Sequence, residues 1–357
     1  MKAHSNLRRW AKRTALLAGG IFGACVVFIL ILALVHRRPA EMVAVDISNG
    51  AKPGKWPSRL NLLTWNIGYG AMGEEADFFM DGGRTVMPPN RATVLGHLAN
   101  IASVLRGNAE DVYLLQEVDR ESHRSYELDE AALVASGLTG YSSSFAANHD
   151  VWFVPYPFTQ PIGRVRSGLL SLGAYRPAEA TRIQLPGSFP WPISSFALDR
   201  CALVWKLPRQ DGKQWVVINI HLTAWDNKGE MRTQQLEYLR RYAVGEYQSG
   251  GYVIIGGDWN SVLPGVRLDQ FSSTEKPSEY VKVLPQDAFP EGWHWGVAAD
   301  YPTNRQASAP YAAGRTFVTT IDGFLASPNV QVESVKAIPE QFRDSDHEPV
   351  TVSVVGN

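Results

Sequence analysis

Short apolar runs rich in β-branched and aromatic residues recur along the chain, and they limit the possible folds more than any other feature. They read LNLLTWN, DVYLLQ, CALVWKL, WVVINIHL, GYVIIGG, TFVTTIDGFLA and EPVTVSVV. Runs of this length and composition are typical of buried β-strands. Helical patterns lie between only some of them. The pattern therefore predicts mixed sheets, or two packed sheets with helices outside, rather than one parallel doubly wound sheet.

Two segments have the apolar period of an amphipathic helix, Arg91–Leu105 and Met231–Tyr247. The first predicts a buried face made of Val94, Leu98, Ile101, Ala102 and Leu105. Two other segments, 68–89 and 147–192, are rich in Gly or in Pro and aromatic residues, and we expect loops there. Such long loops are commonly functional, so each is either a substrate lid or a surface flap with its own small apolar cluster.

Residues Ala15–Val35 contain no charged residue and no proline. About 20 apolar residues span a bilayer as a helix, so this run predicts a transmembrane helix. Basic residues are more numerous before the run than after it: Lys2, Arg8, Arg9, Lys12 and Arg13 precede it, and Arg37 and Arg38 follow it. This asymmetry predicts a cytoplasmic N-terminus and places the main body of the chain on the extracytoplasmic side.

The predicted organisation is a basic cytoplasmic tail at 1–14, a transmembrane signal anchor at 15–35, a linker at 36–58 and one catalytic domain at 59–357. A cleaved signal peptide is the competing interpretation of the apolar run. Its exit, ALVHRRPA, lacks a clean small-x-small cleavage site, and the run is long for the apolar part of a signal peptide.

Composition excludes several classes of protein. The 357 residues have a net charge of −1, so no overall positive field attracts nucleic acid. Only two cysteines occur, and both lie in apolar segments, which excludes a disulfide framework and argues against a cysteine-based zinc site.

Polar side chains stand where several of the apolar runs end, and Asp346 and His347 directly precede the last run. Four carboxylates, two amides and two histidines occupy such places: Asn66, Glu117, His221, Asp258, Asn260, Asp322, Asp346 and His347. Each alone is compatible with a turn or a satisfied core residue. Their joint occurrence at the ends of separate strands predicts a shared crevice, where α/β sheets gather ligand sites.

Phosphoester hydrolysis needs this combination of groups. A phosphate repels nucleophiles through its negative charge, and a hard cation held by carboxylate and amide oxygens neutralises that charge. Glu117 is the best single candidate for a metal ligand. A further carboxylate must position water, and an imidazole must contact a phosphate oxygen or the leaving group. The rival use of the same residue types, a Ser-His-Asp site, lacks support because no G-x-S-x-G sequence occurs.

Six short motifs in succession resemble those of the endonuclease/exonuclease/phosphatase superfamily, the family of deoxyribonuclease I. They are T-W-N at 64–66, L-Q-E-V-D at 115–119, N-I-H-L-T at 219–223, G-G-D-W-N at 256–260, I-D-G-F at 321–324 and S-D-H-E-P-V at 345–350. The resemblance implies an α/β fold, a four-layer sandwich of two mixed β-sheets flanked by helices. Because the apolar run precedes these motifs, the chain resembles a membrane-anchored member of this superfamily, of bacterial type.

The resemblance also implies a role for each matching residue. Glu117, Asn66 and Asp346 would hold Mg²⁺, with Mn²⁺ as the alternative ion. Asp258 would orient the attacking water, and Asn260 would hold the water or a phosphate oxygen. His347 would contact the scissile phosphate, positioned by Asp322, and His221 would lie near the leaving group. The acid and base assignments stay open, and Arg124 and Arg200 are each either phosphate contacts or structural residues.

The expected activity is Mg²⁺-dependent hydrolysis of a phosphoester, by a phosphodiesterase or phosphatase that acts on the extracytoplasmic side of a membrane. A phospholipid head group is the preferred substrate, because the helix keeps the domain near lipid and Phe78, Phe79 and Met80 could touch a membrane surface. A metal-dependent nuclease is the alternative, although a basic groove is not evident. A second alternative is a catalytically silent, membrane-tethered binding module. We expect a monomer.

Overall fold

The computed structural model describes residues 2–35, 39–51, 53–224, 226 and 228–357. Arg37 and Arg38, on which the predicted membrane orientation partly depends, lie outside these residues. The α-helices are α1 Lys2–Val35, α2 Arg91–Asn108, α3 Glu130–Gly137 and α4 Glu230–Gln248. The strands are β1 Met42–Ala44, β2 Arg59–Asn66, β3 Val112–Asp119, β4 Ser142–Val154, β5 Gly163–Gly173, β6 Glu179–Gln184, β7 Cys201–Pro208, β8 Gln214–His221, β9 Tyr252–Asp258, β10 His294–Gly296, β11 Asn304–Arg305, β12 Val318–Thr319, β13 Asp322–Ala326, β14 Val330–Ala337 and β15 Val350–Gly356.

Two large sheets carry the fold. One has the strand order β1-β6-β7-β8-β9-β13-β10, and the other has the order β14-β15-β2-β3-β5-β4. Each is mixed, because β8 and β9 pair in parallel in the first, β2 and β3 pair in parallel in the second, and the remaining pairs are antiparallel. A short antiparallel pair, β11 and β12, stands apart.

The buried apolar residues form three layers that hold the sheets and helices together. The central layer lies between the sheets and combines residues such as Leu114 of β3, Ile254 of β9 and Phe324 of β13. An outer layer packs Leu239 and Ala243 of α4 on the first sheet. The other outer layer packs α2 and α3 on the second sheet. The result is the predicted four-layer sandwich of two mixed sheets flanked by helices.

The helix and strand predictions are confirmed where the apolar signal is strong. All five residues predicted for the buried face of the first helix are buried in α2, and α4 covers the second predicted helix. Each of the seven apolar runs contains a strand. The side chain of Asn90 accepts a hydrogen bond from the Thr93 N–H at 3.0 Å, which caps the start of α2.

The prediction of a loop over 147–192 is wrong for most of that range, because it contains the end of β4 and all of β5 and β6. Strand β4 begins Ser-Ser-Ser-Phe-Ala-Ala, and β5 alternates Gly and Ser with larger residues. Small side chains weaken the apolar signal, and Pro155, Pro157 and Pro161 belong to the turn between β4 and β5. Part of the predicted linker is also a strand, since β1 pairs with β6 from Met42↔Ile183 to Ala44↔Thr181.

Helix α1 contains one stretch, Arg9–Leu34, that is long and apolar enough to cross a membrane, with a mean hydropathy of 2.7. A signal sequence has the same properties. Most of its large apolar side chains are exposed, including Phe22 and Leu34. Near its C-terminal end the helix lies against β4, where the rings of Phe28 and Phe153 meet edge to face at 5.8 Å between centroids.

Candidate active site

The ends of five strands bring five of the predicted residues close together. Asn66 and Glu117 stand at or near the ends of the parallel pair β2 and β3. His221 and Asp258 end the parallel pair β8 and β9 and are register partners. Asp322 begins β13 and is the register partner of Asp258 on its other side. Because the two sheets pack face to face, these strand ends meet in one crevice.

The backbone conformation at Glu117 determines where its side chain points. The pairing of β3 with β5 shifts register between Leu115 and Val118, and Glu117 has a φ of 51°. A bulge of this kind turns a side chain out of the ordinary strand alternation. Positive φ is also uncommon for a non-glycine residue and indicates a functional constraint. The carboxylate of Glu117 therefore faces the crevice instead of one of the sheet faces.

Asp258 is the centre of the hydrogen-bond network. Its Oδ1 accepts from the backbone N–H of Asn260 at 2.8 Å, and its Oδ2 accepts from Nδ2 of Asn66 at 3.0 Å. Nε2 of His221 lies 3.3 Å from Oδ2, and Nε2 of His347 lies 3.7 Å from it. These contacts fix the carboxylate in place between two imidazoles.

Asn66 has a different contact from the one implied for a metal ligand. Its Oδ1 accepts a hydrogen bond from the Gly68 N–H at 3.0 Å. Its Nδ2 donates to Oε1 of Glu117 at 3.2 Å as well as to Asp258. In this orientation the NH₂ group of Asn66 positions the carboxylates of Glu117 and Asp258, and its oxygen accepts a backbone hydrogen bond.

His347 and Asp322 form a buried pair. Nδ1 of His347 lies 2.8 Å from Oδ2 of Asp322, which accepts its hydrogen. Burial lowers the pKa of His347, but Asp322 and Asp258 outweigh burial and hold the pKa well above its ordinary value. Burial raises the pKa of Asp322 to about 6 although His347 opposes the shift. The imidazole is thus oriented and favoured in its charged form.

The loop that carries His347 is fixed to the second sheet. The indole N–H of Trp65 donates to the His347 carbonyl at 2.9 Å, and the Ser345 hydroxyl donates to the Asn66 carbonyl at 2.7 Å. The neighbouring Asp346 lines the same cavity as Glu117. Trp65 lies in the T-W-N motif, so this motif holds the His347 loop as well as providing Asn66.

His221 is held in its neutral form. Burial lowers its pKa well below the ordinary value, and Arg200 and His347 lower it further. The nearby Asp258 carboxylate would favour a charged ring, but the imidazole is almost fully buried, so desolvation prevails. Its Nδ1 is buried and has no hydrogen-bond partner among the residues that the structure describes.

The donor set near Glu117 fits a divalent cation. Burial raises the pKa of Asp346 to about 7, and the charge of Glu117 raises it too. Within the described part of the chain, no Lys or Arg forms an ion pair with either carboxylate. Two neighbouring carboxylates that no Lys or Arg of the described residues pairs with directly are oxygen ligands of the kind that Mg²⁺ binds.

A second group of ligating atoms lies within 4.8 Å of one another, on Asp258, Asp322 and His347. The facing atoms of Asp322 and His347 are already joined by their hydrogen bond. This group is therefore better described as a hydrogen-bonded network than as a cation cage, and the carboxylates of Glu117 and Asp346 are the better metal donors.

A cavity of about 230 Å³ opens onto these residues. Its lining includes Glu117, His221, Asp258, Asn260, Asp346 and His347. Asn66 and Asp322 lie behind this wall and reach it through their hydrogen bonds. All eight predicted residues are therefore gathered in or directly behind one cavity.

The two candidate arginines on the cavity wall differ in their contacts. Arg124 donates to both carboxylate oxygens of Asp119, at 2.9 and 2.8 Å, and stacks over the ring of Tyr69. Arg200 is also buried, and its Nη1 has no hydrogen-bond partner within the described ranges. Burial lowers its pKa, while Glu117 and Asp258 oppose the shift. In both arginines Nη1 makes no hydrogen bond with the described residues, so each retains donor capacity for an anion.

The Gly68–Pro89 segment proves to be a flap with its own apolar cluster. Tyr69, Ala71, Met72 and Ala76 pack together with Ala307. Arg305 holds the segment by donating to the carbonyls of Gly73, Met72 and Ala76. The same flap contributes Phe78, Met80 and Asp81 to the cavity, so it is also part of the site wall.

Several site residues have no signal in the sequence. Nδ2 of Asn304 lies 3.0 Å from Nε2 of His347, and the Thr303 hydroxyl accepts from the Asp322 N–H at 3.1 Å. Gln116 and Asn219 join the two sheets beneath the site, with 2.8 Å between Nε2 and Oδ1. The last two fall inside recognisable motifs, whereas Thr303 and Asn304 lie in a segment without periodicity.

A model of the Endonuclease/Exonuclease/phosphatase family matches residues 63–347. No curated protein matches the chain in sequence. Among solved structures, an endonuclease/exonuclease/phosphatase from Beutenbergia cavernae DSM 12333 is similar, with a TM-score of 0.55 and 18% identity over 84% of this chain and 72% of that one.

Two further solved structures have a similar fold. The human Nocturnin catalytic domain with bound sulfate has a TM-score of 0.52 and 17% identity, over 88% of this chain and 98% of that chain. ANGEL2, a 2′,3′-cyclic phosphatase, in complex with adenosine-2′,3′-vanadate, has a TM-score of 0.53 and 15% identity, over 87% and 98%. At these identities the likeness concerns the fold alone.

Proposed function

Since this chain belongs to the Endonuclease/Exonuclease/phosphatase family, whose members are phosphoester hydrolases that depend on divalent metals, we propose that it is a Mg²⁺-dependent phosphodiesterase or phosphatase. The observation that carries the proposal is the network around Asp258, which joins an amide and two imidazoles beside the carboxylates of Glu117 and Asp346. Mn²⁺ is the alternative ion.

The proposed roles follow from the contacts. Glu117 and Asp346 hold the cation, which when bound neutralises phosphate charge. Asn66 orients Glu117 and Asp258 through its NH₂ group. Asp258 is fixed by Asn260, Asn66 and the two imidazoles, and it orients the attacking water. Asn260, whose Nδ2 donates to the Leu222 carbonyl at 2.8 Å, holds the loop beside that water.

The histidines have separate roles in this proposal. His347 is favoured as a cation by Asp322 and Asp258, so it contacts a non-bridging oxygen of the scissile phosphate. His221 is neutral and lies on the other side of Asp258, near the leaving group. Arg200, whose Nη1 has no hydrogen-bond partner among the described residues, contacts the phosphate.

The proposed location rests on α1. We infer that residues 1–14 are a cytoplasmic tail, that 15–35 cross the membrane and that the catalytic domain within 59–357 is extracytoplasmic and monomeric. The support is one exposed apolar helix with more basic residues before it than after it. A membrane-held domain favours a phosphoester that is itself in the membrane, so a phospholipid head group is the proposed substrate.

The test uses the full chain in detergent micelles with bis-p-nitrophenyl phosphate and Mg²⁺. The wild type is expected to release p-nitrophenol, and Glu117→Ala and His347→Ala are each expected to lower the rate by about 100-fold or more, since each removes charge stabilisation in a buried site. Equal rates for all three proteins, whether zero or not, would contradict the enzyme proposal.

The alternatives are separated by a substrate panel. Turnover of single- or double-stranded DNA or RNA above that of phospholipid would make the chain a nuclease. Divalent-metal binding without turnover of nucleic acid, lipid or inositol phosphate would make it a silent binding module.

A further inference from the structure

Exposed aromatic side chains cluster on the turn between β4 and β5. Phe158 is 84% exposed, Trp152 is 60% exposed and Tyr156 is 53% exposed. We call residues 151–163, which contain all three, the aromatic hairpin. Soluble proteins seldom expose several large aromatic side chains on one short segment unless that segment contacts another surface. We therefore expect the aromatic hairpin to contact a partner surface other than the substrate of the active site.

Helix α1 identifies that partner. Its C-terminal part lies against β4, the strand that leads into the aromatic hairpin. Phe28 of α1 meets Phe153 of the hairpin edge to face at 5.8 Å, and Leu32 is almost fully buried although most of α1 is exposed. The contact places the hairpin at the extracytoplasmic end of the apolar helix.

The position of Phe28 along α1 indicates how deep in a bilayer the aromatic hairpin would lie. Phe28 precedes the end of the apolar run at Val35 by seven residues, which is about 10 Å along a helix axis at 1.5 Å per residue. Interfacial protein segments bury their apolar face about 5–10 Å into the boundary between head groups and acyl chains. A helix that spans the bilayer would thus hold the hairpin at this boundary.

An apolar path connects the hairpin with the active-site cavity. Phe78 and Ile162 line the cavity. Phe78 contacts Phe79 at 5.0 Å between ring centroids, Phe79 contacts Tyr156 at 5.7 Å, and Tyr156 contacts Phe158 at 6.0 Å. Met80, which also lines the cavity, is 39% exposed. The cavity mouth and the hairpin therefore share one apolar edge.

We propose that the aromatic hairpin, with Phe79 and Met80 beside it, is a membrane-docking surface that inserts into the leaflet from which α1 emerges and holds the cavity mouth against the lipid. Tyrosine and tryptophan are enriched at this depth because one part of each ring is apolar and the other is polar. The inference rests on the proposed membrane anchor and on the proposed lipid substrate of the same site.

The test measures depth in the bilayer and does not depend on turnover. The full chain with Cys25→Ser is reconstituted in phosphatidylcholine nanodiscs, and the buried Cys201 is left in place. A spin label is attached at Phe158→Cys or, separately, at Trp152→Cys. Accessibility to oxygen, which concentrates in lipid, is compared with accessibility to a nickel chelate, which stays in water.

Ser334→Cys provides the matched control. Ser334 is exposed on β14, and β14 and β4 are the two opposite edges of the same six-stranded sheet. At about 4.8 Å per strand the two edges are roughly 24 Å apart. Labels at 152 and 158 are expected to favour oxygen over the nickel chelate, and the label at 334 is expected to show the reverse.

Two results would overturn the docking surface. One is nickel-chelate accessibility at 152 and 158 equal to that at 334, which places the hairpin in water. The other is exclusion of both reagents at 152 and 158, which places it against protein. Each labelled protein is also assayed with bis-p-nitrophenyl phosphate in water. Absence of that activity from both the wild-type chain and the unlabelled Cys25→Ser chain would contradict the hydrolase proposal and leave the depth measurement valid.

Discussion

At the residue scale, Asp322 is the side chain whose surroundings most restrict its role. Its Oδ2 accepts from His347, and its Oδ1 is buried without a hydrogen-bond partner in the portion of the chain that the structure describes. A buried carboxylate is costly unless a partner compensates for it. Here the compensation comes chiefly from the His347 imidazole, so the position of this ring depends on Asp322, whereas its charge is favoured by both Asp322 and Asp258.

We predict that Asp322→Asn lowers kcat about 10²- to 10⁴-fold, because an amide no longer holds Nδ1–H of His347 in the required tautomer and orientation. KM for a small diester should change much less. The measurement is steady-state kinetics in Mg²⁺ together with thermal unfolding.

The control is Asp344→Asn, the same change at another buried aspartate. Asp344 accepts from Asn100 at 2.9 Å and from Arg343 at 2.7 Å, outside the cavity lining. It is expected to lower the unfolding temperature and to leave kcat within about threefold, as for a change that removes only structural hydrogen bonds. Equal losses of kcat in both variants would assign Asp322 a structural role.

The sequence predicts site residues well where an apolar strand precedes them. Glu117, His221 and Asp258 each follow such a run, and all three meet in the cavity. Thr303 and Asn304 follow no such run, since β11 has two residues, and they reach His347 and Asp322 only through the folded chain. The orientation of the Asn66 amide likewise depends on the Gly68 N–H, which no sequence pattern encodes.

At the element scale, the close approach of β9 to the opposite sheet depends on Gly256. A Cβ atom built there would lie 2.6 Å from Cε1 of Phe324 and 2.8 Å from Cδ1 of Leu114. Both side chains belong to the central apolar layer. The strand that carries Asp258 is thus positioned by the absence of a side chain two residues earlier.

We predict that Gly256→Ala lowers the free energy of unfolding by about 1–3 kcal/mol through overpacking of that layer. Gly96→Ala is the matched control, because Gly96 lies within α2 and nothing lies within 4 Å of the added methyl group. The control should gain about 0.5–1 kcal/mol from helix propensity. Denaturant unfolding of both variants measures the difference, and an unchanged midpoint for Gly256→Ala would contradict the packing argument.

The elements that sequence patterns miss are at sheet edges or have small residues. Strand β4 is an edge strand with Ser and Ala at its start, and β14 alternates exposed and half-buried residues at the other edge. Half-exposed strands have weaker apolar patterns than central strands such as β8 and β9. The order of sheets and helices in layers could be predicted from the sequence. The number of strands in each sheet could not, because the edge strands are defined mainly by their hydrogen bonds to neighbouring strands.

At the scale of the whole molecule, the half-buried carboxylates of Glu117 and Asp346 link metal binding to folding. A ligand that binds only the folded state stabilises it according to its concentration relative to Kd. Asp346 is half-buried, and desolvation raises its pKa to about 7, so the folded state is destabilised by a carboxylate whose charge a divalent cation would neutralise.

We predict that Mg²⁺ at 100 times its Kd stabilises the metal-free protein by about 2.7 kcal/mol. Glu117→Ala should abolish this gain, because the ion loses its most exposed carboxylate ligand. Differential scanning calorimetry after chelation, with and without added Mg²⁺, measures the effect. An equal upward shift of the unfolding temperature in Glu117→Ala would place the ion elsewhere.

The pairing of β1 with β6 has a consequence for how the protein meets its substrate. Only six residues separate Val35 at the end of α1 from Met42 at the start of β1. Seven residue steps span at most about 25 Å when fully extended. With α1 in a bilayer, the enzyme would diffuse with its leaflet and encounter substrate in two dimensions. Its rate would then follow the mole fraction of substrate lipid in that leaflet, and diluting the vesicles in buffer would leave it unchanged.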